Sequence, residues 1–441
     1  MTAARALAEW LIDLRVPAAV EADAGLRLLD VLAIAQAAVP LPIGQSVRRA
    51  AAALGQGDAA TMIGGGRTTA ALAALVNGTL AHALDFDDTH AASVMHPSAP
   101  AVAVALAMAE ATDANGQRLL AGIAAGIEIG VRLGLVAPGA FHAAGQHPTG
   151  TLGTIAAAMV AAWFRGLDAA GIVAAAGIAG SQASGILEAY ADGTWSKTLH
   201  PGWAAQAGIV AATLAAEGFT GPRSVLEGRY GVFRAHLPAR TEFDFGAVTN
   251  ELGTRWHAPD TAFKLYPNAH AIHAFIEGAL VLRVPPAEVA YVLLDVPACF
   301  FGQIAEPCAQ KRAPLTPTHA RASLFYALAA ALTDGGVTPA HFTAEAIIRP
   351  DLLALAARME ARPVELAGPI RFTGALTIHT HDGRALRHEV ADANGTGPRR
   401  LSRGAIEAKA RAVAPGAATE RLIGLLDGLA DVTNIGALVP Q

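Results

Sequence analysis

Lysine is almost missing from this chain: four residues in 441, Lys197, Lys264, Lys311 and Lys409, with arginine supplying nearly all the remaining positive charge. A lysine that solubility does not demand is placed for a specific contact. Two of the four fall inside polar clusters, TWSKTLHPG at 194–202 and FKLYPNAHAIH at 263–273. Cysteine is equally scarce. Cys299 and Cys308 form neither a disulfide framework nor a metal-ligand pattern, so a catalytic thiol at Cys308 is subordinate to an incidental one. Charged residues of both signs make up 16% of the chain, below the usual quarter, which implies surface buried against other subunits and hence an oligomer.

Basic runs are missing too, and the formal net charge is -5, which excludes a nucleic-acid partner. An anionic small molecule stays admissible, because a pocket concentrates positive groups locally. Long uninterrupted apolar runs do not occur: the alanine-rich stretches 99–111 and 203–218 are short and broken by Gly, Pro or charge. The opening MTAARALAEWLIDLRV reads as an amphipathic surface helix and not as a cleavable signal. The expectation is a cytoplasmic protein with no membrane partner.

What is present is a hydrophobic content of 53%, enough for a large core in two or three domains. From residue 1 to about 260, Ala and Leu recur at three- and four-residue intervals between Gly/Pro punctuation, the pattern of closely packed helices. The texture changes after Pro285. VAYVLLDVP at 289–297 and the stretch 364–390 read as strands, with Asp382-Gly383 as a hairpin turn, and 319–332 reads as helix between them. Helical periodicity returns beyond about 396. The fold class expected is mainly α: a discontinuous helical domain, 1–265 and 396–441, carrying an inserted smaller α+β domain, 266–395. A cleft between the two is the natural place for a pocket.

Four constellations carry chemistry. In AHALDFDDTHAASVMHPSAP at 81–100, helical spacing places His82, Asp85 and Thr89 on one face with Asp88 near it, while Asp87 points elsewhere. Thr89, His90 and His96 follow as the helix gives way before Pro97. Three readings are open here: a divalent-metal site of Asp and His, a cap with surface charge, or a proton-transfer and substrate-orienting site. His147, ahead of Pro148 and a Gly/Thr-rich helix start, offers free amides to an anion; His142 is less specific. Lys197 with His200 supplies either a base of lowered pKa or a fixed cation for a carboxylate.

Lys264, Tyr266, His270 and His273 gather a cation, a phenol and two imidazoles in ten residues, with Pro267 opening the helix that holds both histidines. The triple glycine 64–66 lacks the spacing of a phosphate loop or dinucleotide fingerprint and reads as a tight turn before a helix. Arg67 beyond it, like Arg132, is a candidate for a substrate carboxylate. Together these groups suit removal of a proton beside a carboxylate, which needs a base and cations around the enediolate. If a hydroxyl leaves the product is dehydrated, if carbon dioxide leaves it is decarboxylated, and if nothing leaves reprotonation gives the epimer.

HALDFDDTH with HPSAP, HPTGTLGTIAAA, SKTLHPGWAAQAGIVAATLAAEGFTGPRSVLEG at 196–228 and KLYPNAHAIH resemble the MmgE/PrpD family, over most of the chain. The resemblance implies a large helical domain with a smaller α+β domain, a homodimer, and chemistry on a small di- or tricarboxylate without metal, nucleotide or flavin. It matches Asp85, Thr89, His96, His147, Lys197, Lys264 and His273 to the family's pocket residues. With the reading of the residues themselves, Asp85, His96, His147, Lys197, Lys264 and His273 are the catalytic candidates, and Thr89, Arg67, His200, Tyr266 and His270 are placed on the substrate. The spacing between Thr89 and His96 and the NAHAI insert depart from the family pattern. No tyrosine stands just before the Arg/Pro segment AQKRAP at 309–314, where decarboxylase relatives carry one. The sequence expectation is therefore a cofactor-independent epimerase of a dicarboxylate such as iminodisuccinate. A 2-methylcitrate dehydratase-like or cis-aconitate decarboxylase-like lyase is the alternative, and a non-catalytic helical interaction protein the remote one.

Overall fold

Alanine and glycine at helix crossings set the architecture. In the computed structural model, which describes residues 1–440 with the side chain of Pro398 excepted, eight long helices form the body. They are Ala18–Ala38, Pro42–Leu54, Ala70–His82, Ser98–Ala111, Gly116–Leu135, Pro148–Phe164, Ala169–Gly180 and Ser196–Ala216. Gly78 and Gly202 let the helices Ala70–His82 and Ser196–Ala216 touch backbone to backbone, since a Cβ at Gly202 would lie 2.2 Å from the Leu75 carbonyl. That crossing brings the last residue of one helix, His82, beside the first turn of the other, which carries Lys197.

The buried apolar side chains form two large clusters. One runs through residues 3–263 and is joined by Ile406, Ala410, Leu422, Leu429 and Leu438 from the C-terminal helices. The other runs from Ala269 to Ala393. The second surrounds a four-stranded sheet in the order Met359–Val364, Val289–Pro297, Gly374–Thr380, Ala385–Val390. The first two strands are parallel with Val292 opposite Met359, and the other pairings are antiparallel. The turn between the last two contains Asp382 and Gly383, with Gly383 at φ 90° as a tight hairpin requires. The helices His273–Leu282 and Leu324–Asp334 pack together, and the first lies on the last two strands. The protein is thus mainly helical with a smaller β-containing region inserted.

Three local readings are corrected. The helical first region is interrupted by a strand pair, Ala60–Thr61 with Arg67–Thr68, whose turn uses Gly64, Gly65 and Gly66 at φ 85°, 97° and 86°. The stretch 319–332 is two helices, Pro317–Arg321 and Leu324–Asp334, because Ser323 starts a new helix by accepting from the Tyr326 amide at 3.0 Å. Pro267 opens no helix: His270–Ile272 is a 3₁₀ turn leading into His273–Leu282. No single helix among the described residues is long and apolar enough to cross a membrane.

Candidate active site

All four lysines are buried, none more than 8% exposed. Two of them meet at one carboxylate. The helix Ala70–His82 stops at His82, and Asp85 adopts a left-handed φ of 49°, so 83–90 is a loop and not further helix. The expected common helical face of His82, Asp85 and Thr89 is therefore absent, and the loop gathers these groups instead. Lys264 Nζ donates to Asp85 Oδ1 at 2.7 Å and to its carbonyl at 2.8 Å, while Lys197 Nζ lies 3.6 Å from the same Oδ1. Burial alone would push the Asp85 carboxyl up, but the two ammoniums hold it well below the ordinary carboxylate range.

Asp87, expected to point away, is fully buried, because the helical phase that argument used ends five residues earlier. His82 donates from Nδ1 to both its oxygens, at 2.8 and 2.9 Å. The other nitrogen of His82, Nε2, accepts from Lys197 Nζ at 2.8 Å. Burial and then the charge of Lys197 push the His82 pKa well below its usual value, so the ring is neutral. Burial pushes the Asp87 carboxyl up. The result is a buried chain of carboxylate, imidazole and ammonium.

The loop is braced from beneath by two cations. Arg27 donates to Asp88 at 2.7 Å and to the Thr261 carbonyl at 2.7 Å, and Asp88 also binds Ser98 through a very short hydrogen bond. Lys409, from the C-terminal helix Arg403–Val413, donates to the Phe86 carbonyl at 2.9 Å and pairs with Asp30 at 2.8 Å. Neither residue has a motif around it. The scarcity of lysine was the available signal for Lys409.

His96 donates from Nδ1 to the Asp88 carbonyl at 2.7 Å, which leaves the lone pair on Nε2. Burial pushes its pKa well below the ordinary value, with Asp87 opposing. His147 ends the loop before the helix Pro148–Phe164 and shares one proton with His200 across 2.9 Å between their Nδ1 atoms. The helix start offers no anion cradle through Gly150 and Thr151, whose amides bond back to the His147 carbonyl at 2.9 and 3.0 Å. Thr149 instead accepts from the His96 amide at 3.0 Å. Burial pushes His200 to about 3.

A small cavity of about 30 Å³ is walled by Asp85, Thr89, His96, His147, Lys197 and His270, with Val94, His142, Tyr190, Phe300, Gln303 and Phe372 closing it. His270 stacks on Phe372 at 4.1 Å, and both its ring nitrogens are buried without a hydrogen bond. His273 lies behind it and donates from Nε2 to the Tyr266 carbonyl at 3.1 Å. The sequence reading placed His273 at the chemistry and His270 on the substrate, yet His270 is the one on the cavity wall. Tyr266 packs by its ring against His273 at 5.1 Å. Sequence reasoning missed Tyr190, whose hydroxyl accepts from Gln303 at 2.9 Å, because it stands outside the four polar clusters.

Arg67 is not brought to this site. It pairs with Glu110 at 2.9 Å and caps the Asp58 carbonyl, since the glycine turn aims it away from the helix end at His82. Arg132 is likewise engaged, by Glu128 at 2.7 Å and by the carbonyls of Asn250 and Arg255. The nitrogens of His82, His96 and His147 lie within 4.8 Å of one another, as do ligand atoms of His82, Asp85, Asp87 and His96. Both nitrogens of His82 are already committed, to Asp87 and to an ammonium, so a metal there has to displace Lys197.

A pocket of two ammoniums, carboxylates and neutral imidazoles is equipped to move protons on a small anion. The chain belongs to the MmgE/PrpD family: residues 5–244 match the MmgE/PrpD N-terminal domain and residues 266–424 the MmgE/PrpD C-terminal domain. Among curated relatives, cis-aconitate decarboxylase of Homo sapiens is 32% identical over 305 residues, 65% of this chain and 60% of the human protein. A cis-aconitate decarboxylase-like protein, oryM, of Aspergillus oryzae is 27% identical over 89% of this chain and 86% of its own length. Cis-aconitate decarboxylase of Aspergillus terreus is 25% identical over 85% and 81%.

Proposed function

We propose that this protein is a cofactor-independent lyase of a cis-aconitate-like tricarboxylate, acting by loss of carbon dioxide and proton transfer. The relatives favour this over the epimerase expected from the sequence. The observation that carries it is the convergence of Lys197 and Lys264 on Asp85 at 3.6 and 2.7 Å in a buried pocket. A substrate carboxylate entering there meets the Lys197 ammonium on the cavity wall, with the charge of Lys264 behind Asp85, and negative charge that develops beside it is stabilised without solvent reorganisation.

In this reading the carbon–carbon bond to the departing carboxylate breaks, its electron pair enters the neighbouring unsaturated acid, and the Lys197 ammonium delivers a proton to the carbon that takes up the charge, the amine being reprotonated from solvent after carbon dioxide leaves. His96, neutral with its lone pair on Nε2, orients the substrate as a hydrogen-bond acceptor. Lys197 is kept in register by His82, which Asp87 holds in place. The phenol absent from 309–314 has a counterpart in the cavity wall at Tyr190, which supports decarboxylation over simple epimerisation.

Proton NMR in deuterated water against cis-aconitate, citrate, methylcitrate and iminodisuccinate tests this. A product lacking one carboxylate, with deuterium at one carbon, is expected. Vinylic signals arising from a hydroxy acid would make the protein a dehydratase. Exchange of an α proton with no new compound would make it an epimerase.

A further inference from the structure

Lys311 is the buried lysine that the site leaves unexplained. Lys197, Lys264 and Lys409 each lie beside a carboxylate, but Lys311 pairs with none among the described residues. Its ammonium, 3% exposed, instead donates to the Gln303 carbonyl at 2.6 Å and to the Ala322 carbonyl at 2.8 Å. Gln303 lies in the last turn of the helix Ala298–Ile304 and Ala322 ends the helix Pro317–Arg321, so both oxygens are left over by their own helices. A charge withdrawn from water is costly even when bonded, and an apolar side chain of similar length fills such a space without that cost. The position is explained by what the cation holds.

What it holds leads to the cavity. The Gln303 side chain donates to the Tyr190 hydroxyl at 2.9 Å, and both residues wall the small cavity together with Lys197 and Asp85. Gln310, next to Lys311 on the helix Cys308–Arg312, donates to the Ala191 carbonyl at 3.4 Å, and Thr316 donates to the Gly193 carbonyl at 3.1 Å. The turn 190–193 of the helical body is thus pinned against the segment that Lys311 gathers. The Lys197 ammonium lies 5.9 Å from the centre of the Tyr190 ring, so a shift of this turn is felt at Lys197. Because the hydroxyl oxygen accepts from Gln303, its own O–H is left for the cavity, and burial pushes the phenol pKa up, so the proton stays on it.

We propose that Lys311 is a positioning residue: its ammonium fixes the helix end at Gln303, and through Gln303 it keeps the Tyr190 hydroxyl on the cavity wall beside Lys197. Lys311 itself meets no substrate. This rests on the lyase reading above and adds a support for the same site that comes from outside its polar clusters.

The test reads Tyr190 directly. The chain has five tyrosines, so protein made with 3-fluorotyrosine gives few fluorine NMR resonances, and Tyr190→Phe identifies the one that belongs to Tyr190. Lys311→Met and, separately, Gln303→Leu should move that resonance in the same direction and leave those of Tyr230, Tyr266 and Tyr291 in place. Both should lower kcat toward cis-aconitate by about tenfold or more with KM within about twofold, because a small misplacement of a reacting group costs rate and not binding. In a Tyr190→Phe background neither should cost more than about a further twofold. Lys311→Gln, which keeps one donor, takes the place of Lys311→Met if that variant lacks native circular dichroism, with the same outcomes expected. A Tyr190 resonance that the Lys311 variant leaves in place overturns the proposal, and so does a loss of kcat that persists in full beside Tyr190→Phe. No turnover of any acid with the resonance moved in both variants overturns the lyase reading and leaves the hold of Lys311 on Tyr190 standing.

Discussion

Lys197 donates to His82 Nε2 across 2.8 Å, and the far side of the same ring is tied to Asp87. His82, pushed well below its usual range by burial and then by the charge of Lys197, is the weaker base of the two, so it holds the Lys197 ammonium in place without taking its proton. Asp87 fixes the tautomer that leaves Nε2 free to accept.

Asp87→Asn keeps the shape of the chain and removes the carboxylate that fixes the His82 tautomer. Turnover should fall by about 10²-fold or more with KM little changed, and the acid limb of the pH–rate profile should move. A loss under threefold with an unmoved profile would remove Asp87 from the mechanism. Asp85→Asn should raise KM as well, since it leaves both ammoniums without their carboxylate.

Much of this site was legible in the sequence because rare residues stand out. Lys197 and Lys264 are conspicuous in a lysine-poor chain, and His96, His147 and His270 sit in polar islands between alanine-rich helices. What could not be read is phase. Asp87 was assigned to the wrong side because helical spacing was carried past His82, and nothing local announces that Asp85 turns the chain at positive φ. Arg67 failed for the converse reason: a cation beside a glycine turn carries no information on direction until the turn is built. Lys409, Arg27 and Tyr190 reach the site from elements distant in sequence, and only packing joins them. The helical body, the strand at 289–297 and the hairpin within 364–390 were readable because periodicity is a property of each segment alone, whereas the parallel edge strand Met359–Val364 was not read and 365–373 is not strand.

Lys409 tests how the loop is held. Lys409→Met leaves Asp30 buried and uncompensated, and removes the donor to the Phe86 carbonyl. The stability loss should be about 3–5 kcal/mol by urea unfolding, and the double variant with Asp30→Leu should recover most of it. Turnover should stay reduced in the double variant, because Phe86 lies between Asp85 and Asp87. Full recovery of both would make Lys409 a packing residue only.

Metal addition separates two uses of the histidine cluster. Extended dialysis against chelator should leave turnover unchanged, because His82 is engaged at both nitrogens without a metal. Excess zinc should inhibit by drawing His82, His96 and His147 together and expelling Lys197 from Nε2. Activity lost to chelator and restored by one divalent ion would sink the metal-free reading.

The stability of the fold should fall on mild acidification, and the sign follows from the histidines. Burial pushes His90 and His200 from 6.5 to about 3, and drives His82, His96, His147, His270 and His273 well below the ordinary value. Below about pH 6.5 the unfolded chain therefore binds protons that the folded chain refuses, and stability is lost as pH falls through that window. Each such histidine costs about 1 kcal/mol by pH 5.5. Asp30, Asp87 and Asp88, pushed up by burial, act in the opposite sense, since the folded state takes their protons first. They are fewer than the histidines, so the net change on going from pH 7.5 to 5.5 should be a clear drop in the urea midpoint. A midpoint that holds or rises over that range would mean that the buried imidazoles are charged in the folded protein, and the assignment of His96 as a neutral acceptor would fall with it.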